Sequence, residues 1–220
     1  SRREYTKLNP FIVLLGKGNH EIKSSWNNQF DHEIATTLGI TCSNVTFLGS
    51  GKDTTTILGG IGIYNSENIT FKQMTVTNTT GNGHGISMSN AKVELFDVAL
   101  KGYGANALYI LPTTSATTVV ATRCEFANSR IGALIYGSLT TAKFYNCVFQ
   151  GGTASGIYAY ESTIHLHGEG TAIHSNGVGI CAHNSAKVII HLPSHHNTSY
   201  NNRLQDRETT RGGTITNVED

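Results

Sequence analysis

A repeat of about two dozen residues is the feature that most constrains the fold of this chain. Each unit opens with a small residue followed by an apolar one, and short alternating runs such as GISMS, GIYAY and GICAH begin there. A period of this length, with short strands in every unit, is typical of one turn of a parallel β-helix. The opening pairs are Gly60-Ile61, Gly85-Ile86, Ala107-Leu108, Ala133-Leu134, Gly156-Ile157 and Gly179-Ile180.

A second alternating run follows each opening strand. Side chains in such a run point alternately into and out of the fold, and the inward sites stay apolar from unit to unit. The pattern predicts an all-β fold, a single-stranded right-handed parallel β-helix solenoid of about seven rungs. The two main inward columns are Ile69, Val93, Val119, Ala142, Ile164 and Val188, and then Phe71, Leu95, Ala121, Phe144, Leu166 and Ile190.

The two ends of the chain depart from the repeat. Residues 11–22 (FIVLLGKGNHEI) have the alternation of a first rung, whereas residues 24–37 are irregular and are predicted to be a loop or short helix covering part of the barrel. Residues 193–220 are polar and are predicted to lie against the last rung, because an open solenoid end exposes core and strand edge. We therefore expect one domain, 1–220, with rungs over 10–192 and a C-terminal cap or tail. The abrupt start at Ser1 suggests a trimmed end, with a cap or signal upstream of it.

Charge and hydropathy exclude two classes of partner. Charged residues are 14% of the chain and the net charge is +1, so the basic footprint of a nucleic-acid-binding protein is missing. No apolar run approaches the roughly 20 residues that span a bilayer. We expect neither nucleic-acid binding nor membrane insertion.

The four cysteines do not form a zinc motif, since the sequence contains no C-x-x-C pair. Cys124 and Cys147 fall at equivalent inward positions of successive rungs, and we predict a stacked pair of free thiols rather than a bridge. Cys42 is also predicted to point inward, and Cys181 outward.

These repeats resemble the pectate-lyase-like superfamily of right-handed parallel β-helix proteins. FIVLLGKGNHEI is similar to a first rung of that class, and NVTFLGSG (44–51) and NITFKQMTV (68–76) are similar to its later rungs. The tail, with HLPSHHNTSYNN and GGTITNVED, looks like the ends of uncharacterised β-helix proteins from marine algae and their large DNA viruses. The superfamily includes pectate lyases, polygalacturonases, alginate epimerases and phage tailspikes, so the fold alone does not select a function. The resemblance implies an extracellular, cell-surface or virion-associated protein.

Enzymes of this superfamily need convergent carboxylates, which the repeat does not supply. A hydrolase needs two acids about 5–10 Å apart, and Asp97 and Glu125 are the one pair predicted to approach each other. Arg123 stands in register with Asp97, however, and an ion pair is the simpler interpretation. A lyase or epimerase needs a base and often Ca²⁺ held by clustered carboxylates, and no such cluster is evident. We expect no cofactor.

Three histidines are predicted to lie side by side. His165 and His167 point outward from one rung, and His191 stacks beside His167 on the next. They invite interpretation as a metal site, but no carboxylate or fourth ligand is evident. We favour a solvated stripe of imidazoles and predict no bound metal.

The outward side of the opening strands is unusually apolar for a surface, which suggests a partner. A glycan would stack on the Tyr rings, and an identical subunit would pack along the face, as in a trimer. Alternatively, the loop 111–118 or the tail covers it. The predicted ligand or interface residues are Tyr109, Ile135, Tyr158, Tyr160 and His183, with His165, His167, His191, Asp97 and Glu125 as secondary candidates.

The sequence therefore predicts a rigid structural or adhesion module that recognises carbohydrate or assembles with itself. The alternative is a polysaccharide lyase, C5-epimerase or glycoside hydrolase. We favour a protein without catalytic activity because the convergent site is missing.

Overall fold

A computed structural model describes residues 4–27, 33–78, 83–191 and 197–219. The described residues form strands and turns and no helix. The strands, in chain order, are β1 (Phe11–Leu14), β2 (Gly18–Glu21), β3 (Trp26–Asn27), β4 (Glu33–Ile34), β5 (Thr37–Ile40), β6 (Val45–Leu48), β7 (Thr55–Leu58), β8 (Gly60–Tyr64), β9 (Ile69–Thr77), β10 (Ile86–Ser89), β11 (Lys92–Lys101), β12 (Asn106–Ile110), β13 (Thr117–Thr122), β14 (Glu125–Ala127), β15 (Ile131–Tyr136), β16 (Thr140–Tyr145), β17 (Val148–Gln150), β18 (Ser155–Tyr160), β19 (Thr163–His167), β20 (Ala172–His174), β21 (Val178–His183), β22 (Lys187–His191), β23 (Ser199–Tyr200), β24 (Gln205–Thr210) and β25 (Thr214–Val218).

The chain winds into a parallel β-solenoid of about seven turns, which confirms the predicted parallel β-helix. The opening strands stack in one eight-stranded sheet, in the order β24-β21-β18-β15-β12-β10-β8-β5. A second sheet, of 15 strands, forms the other two faces, because β9 and β11 run continuously through the corner between them. The molecule therefore has three long faces around one core. The first face is the eight-stranded sheet. The second face includes β13, β16, β19 and β22 and the first halves of β9 and β11, and the third face includes β14, β17, β20 and β23 and the second halves of β9 and β11.

The core has the columns that the sequence predicts. Val93 pairs with Ile69 on one side and with Val119 on the other, and Leu95 pairs likewise with Phe71 and Ala121. The side chains of both predicted columns are at most 2% exposed. Aromatic rings add to the filling, since Phe126 and Phe149 stack with centroids 4.6 Å apart. Burial of these apolar columns is the main force that holds the rungs together.

The corner between the second and third faces is a left-handed turn that recurs on four successive rungs. Gln73, Asp97, Arg123 and Asn146 occupy equivalent positions there with φ between 52° and 57°. Non-glycine residues seldom adopt this conformation, and Asn and Asp tolerate it best. The turn points these polar side chains outward, so Asp97 and Arg123 meet on neighbouring rungs.

The cysteine predictions are partly correct. Cys124 and Cys147 are free thiols, 2% and 0% exposed, at equivalent inward positions. Cys181 lies outward, in register with Tyr158, yet neighbouring side chains leave it only 5% exposed. The prediction for Cys42 is wrong: this residue is exposed, because it lies in the turn between β5 and β6 rather than on a strand.

Both ends differ in detail from expectation. The irregular segment contributes the antiparallel pair β3 and β4, so its described part forms a small hairpin and not a helix; residues 28–32 lie outside the described residues. The tail lies against the last rung as predicted, but it does so by adding strands, since β24 and β25 continue the two sheets in parallel. No described segment is a helix suited to crossing a membrane.

Candidate functional site

The outward side of the eight-stranded sheet carries a ladder of aromatic rings, which we name the tyrosine face. Ring centroids are 6.3 Å apart for Tyr109 and Tyr136, 5.1 Å for Tyr136 and Tyr160, and 5.2 Å for Tyr160 and His183. These spacings follow from the distance of about 4.8 Å between neighbouring strands. The tyrosine face consists of Tyr109, Leu134, Tyr136, Tyr158, Tyr160 and His183, all only partly buried.

The tyrosine face corrects one predicted site residue. Ile135 was expected to face outward, but it pairs with Ile110 and Ala159 and is 0% exposed in the core. Its neighbours Leu134 and Tyr136 point outward instead. The structure thus brings Tyr109, Tyr158, Tyr160 and His183 together as predicted and adds Tyr136, which the sequence analysis missed.

Trp26 covers the first rungs of this sheet. Its indole lies directly on the backbone of Gly39 and Gly62, where an added Cβ would stand 2.1 Å and 2.4 Å from the ring. The indole also stacks on Tyr64, with centroids 4.8 Å apart and 16° between planes. The chain therefore covers its own outward surface at this end, and the tyrosine face begins beyond it.

The predicted covers leave the rest of the face partly exposed in the described parts of the chain. In the loop 111–118, the backbone amides of Thr114 and Ser115 donate to Asn90 Oδ1, which holds the loop at a corner. The tail runs beside the sheet as β24, where Thr210 forms a hydrogen bond with His183. The central tyrosines thus remain partly open to solvent.

Two hydroxyls of the tyrosine face, those of Tyr109 and Tyr158, have a raised pKa. Burial, followed by the neighbouring phenols Tyr136 and Tyr64, raises the pKa of Tyr109. Burial is also the main cause of the raised pKa of Tyr158, to which Cys181 and Glu208 contribute. A Tyr that acts as a general base must lose its proton near the working pH, and a raised pKa opposes this. The face is therefore suited to stacking and hydrogen bonding.

His84 extends the ladder beyond Tyr109, with ring centroids 4.5 Å apart. Burial lowers its pKa to about 4. The backbone amide of Asn106 lies 3.4 Å from His84 Nδ1 and the Asn106 side-chain nitrogen 3.3 Å from it. The imidazole is therefore neutral at physiological pH, and it has the environment of a packed structural group. His84 could not be assigned to this surface from the repeat, because it lies in the turn before its strand.

Asp97 and Glu125 are ion-paired carboxylates. Arg123 donates two hydrogen bonds to Asp97, at 2.8 Å and 2.7 Å, which lower the pKa of Asp97. Burial by itself would raise the pKa of Glu125, but hydrogen bonds from Lys101 and Gln150 lower it on balance. A glycosidase needs one protonated carboxyl as general acid. Both groups are ionised near neutral pH, so neither fits that role, and the predicted Asp97–Arg123 ion pair is confirmed.

The three predicted histidines do come together, on the second face. His167 pairs directly with His191 on the next rung, and His165 Nδ1 lies 2.9 Å from His191 Nε2. Burial, then the nearby His191 and Lys143, lower the pKa of His165. Within the described chain, these form the one group of three or more His, Cys, Asp and Glu close enough to share an ion, and it contains no carboxylate.

Comparisons with known proteins identify distant likenesses in fold. No protein-family model matches the chain, and no curated protein matches it. Among solved structures, the catalytic domain of a GH87 α-1,3-glucanase in complex with tetrasaccharides matches 89% of the chain at 11% identity and a TM-score of 0.35. The A-module of the mannuronan C-5 epimerase AlgE4 from Azotobacter vinelandii matches 94% of the chain at 12% identity and a TM-score of 0.29.

The chain spans 54% of the glucanase domain and 71% of the epimerase module. Likenesses this distant carry no argument about activity. They also give no support to the resemblance of the tail to algal and viral proteins.

Proposed function

We propose that this chain is a carbohydrate-recognition module that binds a glycan along the tyrosine face. The observation that carries the proposal is the ladder of partly exposed rings from Tyr109 to His183, with neighbouring centroids about 5–6 Å apart. Aromatic side chains offer an apolar ring for the face of a sugar and a polar tip for its hydroxyls. Such a function agrees with an extracellular, cell-surface or virion-associated location, which we also propose.

The rigidity of the solenoid supports this function. Each ring stands on a strand that is paired on both sides, so its position is fixed before any ligand arrives. Preorganised groups lose little conformational entropy on binding, which increases affinity. The raised pKa of Tyr109 and of Tyr158 keeps their hydroxyls protonated as hydrogen-bond donors.

Affinity electrophoresis against a panel of neutral and uronate polysaccharides tests the proposal. We expect retardation by at least one polysaccharide, and a loss of at least about fivefold in affinity for Tyr158→Ala and for Tyr160→Ala, since a central interface residue costs about 1 kcal/mol or more. Tyr200→Ala is the matched control because Tyr200 lies on the third face against His174. Equal retardation of all four proteins, or of none, would contradict the proposal.

Self-association is the rival use of the same surface, since most soluble oligomers are symmetric assemblies of identical subunits that share one surface patch. Solution mass by light scattering separates the two. A monomer that binds glycan supports carbohydrate recognition. A trimer that Tyr158→Ala dissociates, without glycan binding, would assign the face to assembly.

Catalysis by a polysaccharide lyase, C5-epimerase or glycoside hydrolase is the alternative function. Incubation with the same panel, followed by assays for unsaturated and reducing ends and for changed uronate configuration, addresses it. Any product formed by the protein, and not by a heat-unfolded control, would replace the binding proposal with an enzymatic one.

A further inference from the structure

A cluster of three imidazoles lies on the second face, away from the tyrosine face. His165 and His167 are separated by one residue on β19, so both side chains point to the same, outward side of the strand. His191 lies beside His167 on the neighbouring strand β22. One ring nitrogen from each of the three residues can be chosen so that all lie within 4.8 Å of one another.

The spacing of these nitrogens suits a tetrahedral metal ion. Bonds of about 2.0–2.1 Å from Zn²⁺ to imidazole place two ligand nitrogens roughly 3.3 Å apart. His165 Nδ1 and His191 Nε2 are 2.9 Å apart, and the rings of His167 and His191 have centroids 4.1 Å apart. The rings of His167 and His191 are stacked with 15° between their planes. Because an imidazole lone pair lies in the plane of its ring, ion binding would require a side-chain rotation that turns the three lone pairs toward one point.

The scaffold holds the cluster in place. Tyr145 stacks on His167, with centroids 4.5 Å apart and 9° between the planes. β19 is paired with β16 on one side and with β22 on the other. A ligand set on rigid strands, with one ring packed against an aromatic neighbour, is better defined than a set on loops.

We propose that His165, His167 and His191 form a binding site for a divalent transition-metal ion, with Zn²⁺ as the ion that best fits three imidazoles. Imidazole ligands favour Zn²⁺, Cu²⁺ and Ni²⁺ over the oxygen-seeking Mg²⁺ and Ca²⁺. A set of three histidines leaves the fourth tetrahedral position to water. A bound metal was not predicted from the sequence because neither a carboxylate nor a fourth ligand is evident, but a three-histidine set needs neither when water fills the fourth position. The ion would tie β19 to β22 and so join two successive rungs.

Isothermal titration of the chelator-treated protein with Zn²⁺ tests the site. We expect one saturable site per chain and a rise in the unfolding midpoint with Zn²⁺, because a ligand that binds only the folded state stabilises it. His167→Gln and His191→Gln should each weaken Zn²⁺ binding by more than about 100-fold, since even outer-shell partners of a metal contribute about 10- to 100-fold.

The chain has ten histidines, so a matched control is essential. His174→Gln alters a histidine on the third face, stacked on Tyr200, and should keep the affinity of the unsubstituted protein. Co²⁺ in place of Zn²⁺ should give the visible absorption of a tetrahedral site in the unsubstituted protein and in His174→Gln. If a ligand variant fails to fold, the proposal is tested on the unsubstituted protein, by the number of Zn²⁺ ions bound per chain and by the Co²⁺ spectrum. Absence of a one-to-one site, or a Zn²⁺ affinity equal in all variants, would overturn the proposal.

Discussion

At the scale of single residues, two glycines decide where the outward surface is covered. Gly39 and Gly62 lie in the row that carries Tyr109 and Tyr158 on later rungs, and their missing side chains make room for Trp26. The indole gains a flat contact with the backbone and with Tyr64. Glycine here serves close packing, and no left-handed backbone is involved at either position.

Gly62→Ala should displace the indole, because its Cβ would lie 2.4 Å from Trp26. We expect a loss of stability of about 1–3 kcal/mol, as for other overpacked sites, and a red shift in tryptophan emission. Trp26 is the single tryptophan of the chain, so fluorescence reports on this contact alone. Gly16→Ala, with no atom within 4 Å of the added Cβ, should leave the emission unchanged. An unshifted spectrum for Gly62→Ala would contradict the packing described.

The buried imidazole of His84 makes a predictable contribution to the pH dependence of stability. Its pKa is about 4 in the folded protein and about 6.5 when unfolded. Below pH 6.5 the unfolded chain takes up the proton that the folded protein does not, so stability falls between pH 6.5 and 4 and then levels. The difference of about 2.5 units in pKa corresponds to at most about 3.4 kcal/mol of unfolding free energy.

Urea unfolding at pH 7.5 and at pH 4.5 measures this effect. His84→Gln should lose less stability between the two pH values than the unsubstituted protein does, because glutamine does not titrate. An equal loss in the two proteins would show that His84 is protonated in the folded state at pH 4.5.

At the scale of the element, β15 shows what the sequence can and cannot predict. The inward columns of the second run follow from alternation alone, because polar residues separate the apolar ones. In β15 the run ALIY is apolar at every position, so alternation does not fix its phase, and a slip of one residue exchanges the two faces. The pairing of Ala133 with Leu108 and Ile157, which are both core residues, shows that Ala133 and Ile135 point inward. Gly132, and not Ala133, is therefore the small residue that opens this unit.

The β3–β4 hairpin could not be predicted for a different reason. Its residues show no alternation, and the position of Trp26 depends on glycines far along the chain. The solenoid can be predicted because its sequence pattern repeats from rung to rung. The cover of its surface cannot, because it depends on contacts between Trp26 and residues distant in the sequence. The tyrosine face could thus be located from the repeat, but its N-terminal limit could not.

The burial of the four cysteines predicts how fast each thiol reacts. Cys124, Cys147 and Cys181 are at most 5% exposed, whereas Cys42 is exposed. Burial, then the charge and hydrogen bond of Glu208, raises the pKa of Cys181 to about 11. Because the thiolate is the reactive form of cysteine, the raised pKa slows the reaction of Cys181.

Titration with a thiol reagent should give one fast-reacting thiol in the folded protein and four in denaturant. Cys42→Ser should abolish the fast phase. Fewer than four thiols in denaturant would indicate a disulfide.

At the scale of the whole molecule, the solenoid is stabilised by contacts between neighbouring rungs. Each repeat in such a stack contacts only the repeats beside it, so stability is close to a sum of rung and interface contributions. Middle rungs are covered on both sides. The first rung is covered on one side, and there Phe11, Ile12 and Leu14 are 44%, 54% and 74% exposed. The aromatic and histidine surfaces both lie over the well-covered rungs, where their geometry is held most firmly.

The same substitution should therefore have unequal effects along the stack. Phe71→Ala removes a ring that is 0% exposed and stacks on Phe47 at 5.0 Å, which should cost about 3–5 kcal/mol of unfolding free energy. Phe11→Ala removes a ring that is 44% exposed, and because a surface substitution changes stability by roughly 0.5 kcal/mol, it should cost less than about 1 kcal/mol. Urea unfolding followed by circular dichroism compares the two, with an unchanged m-value as the check that the same transition is observed. Equal costs at both positions would mean that the first rung is as well covered as the middle of the stack, contrary to the structure.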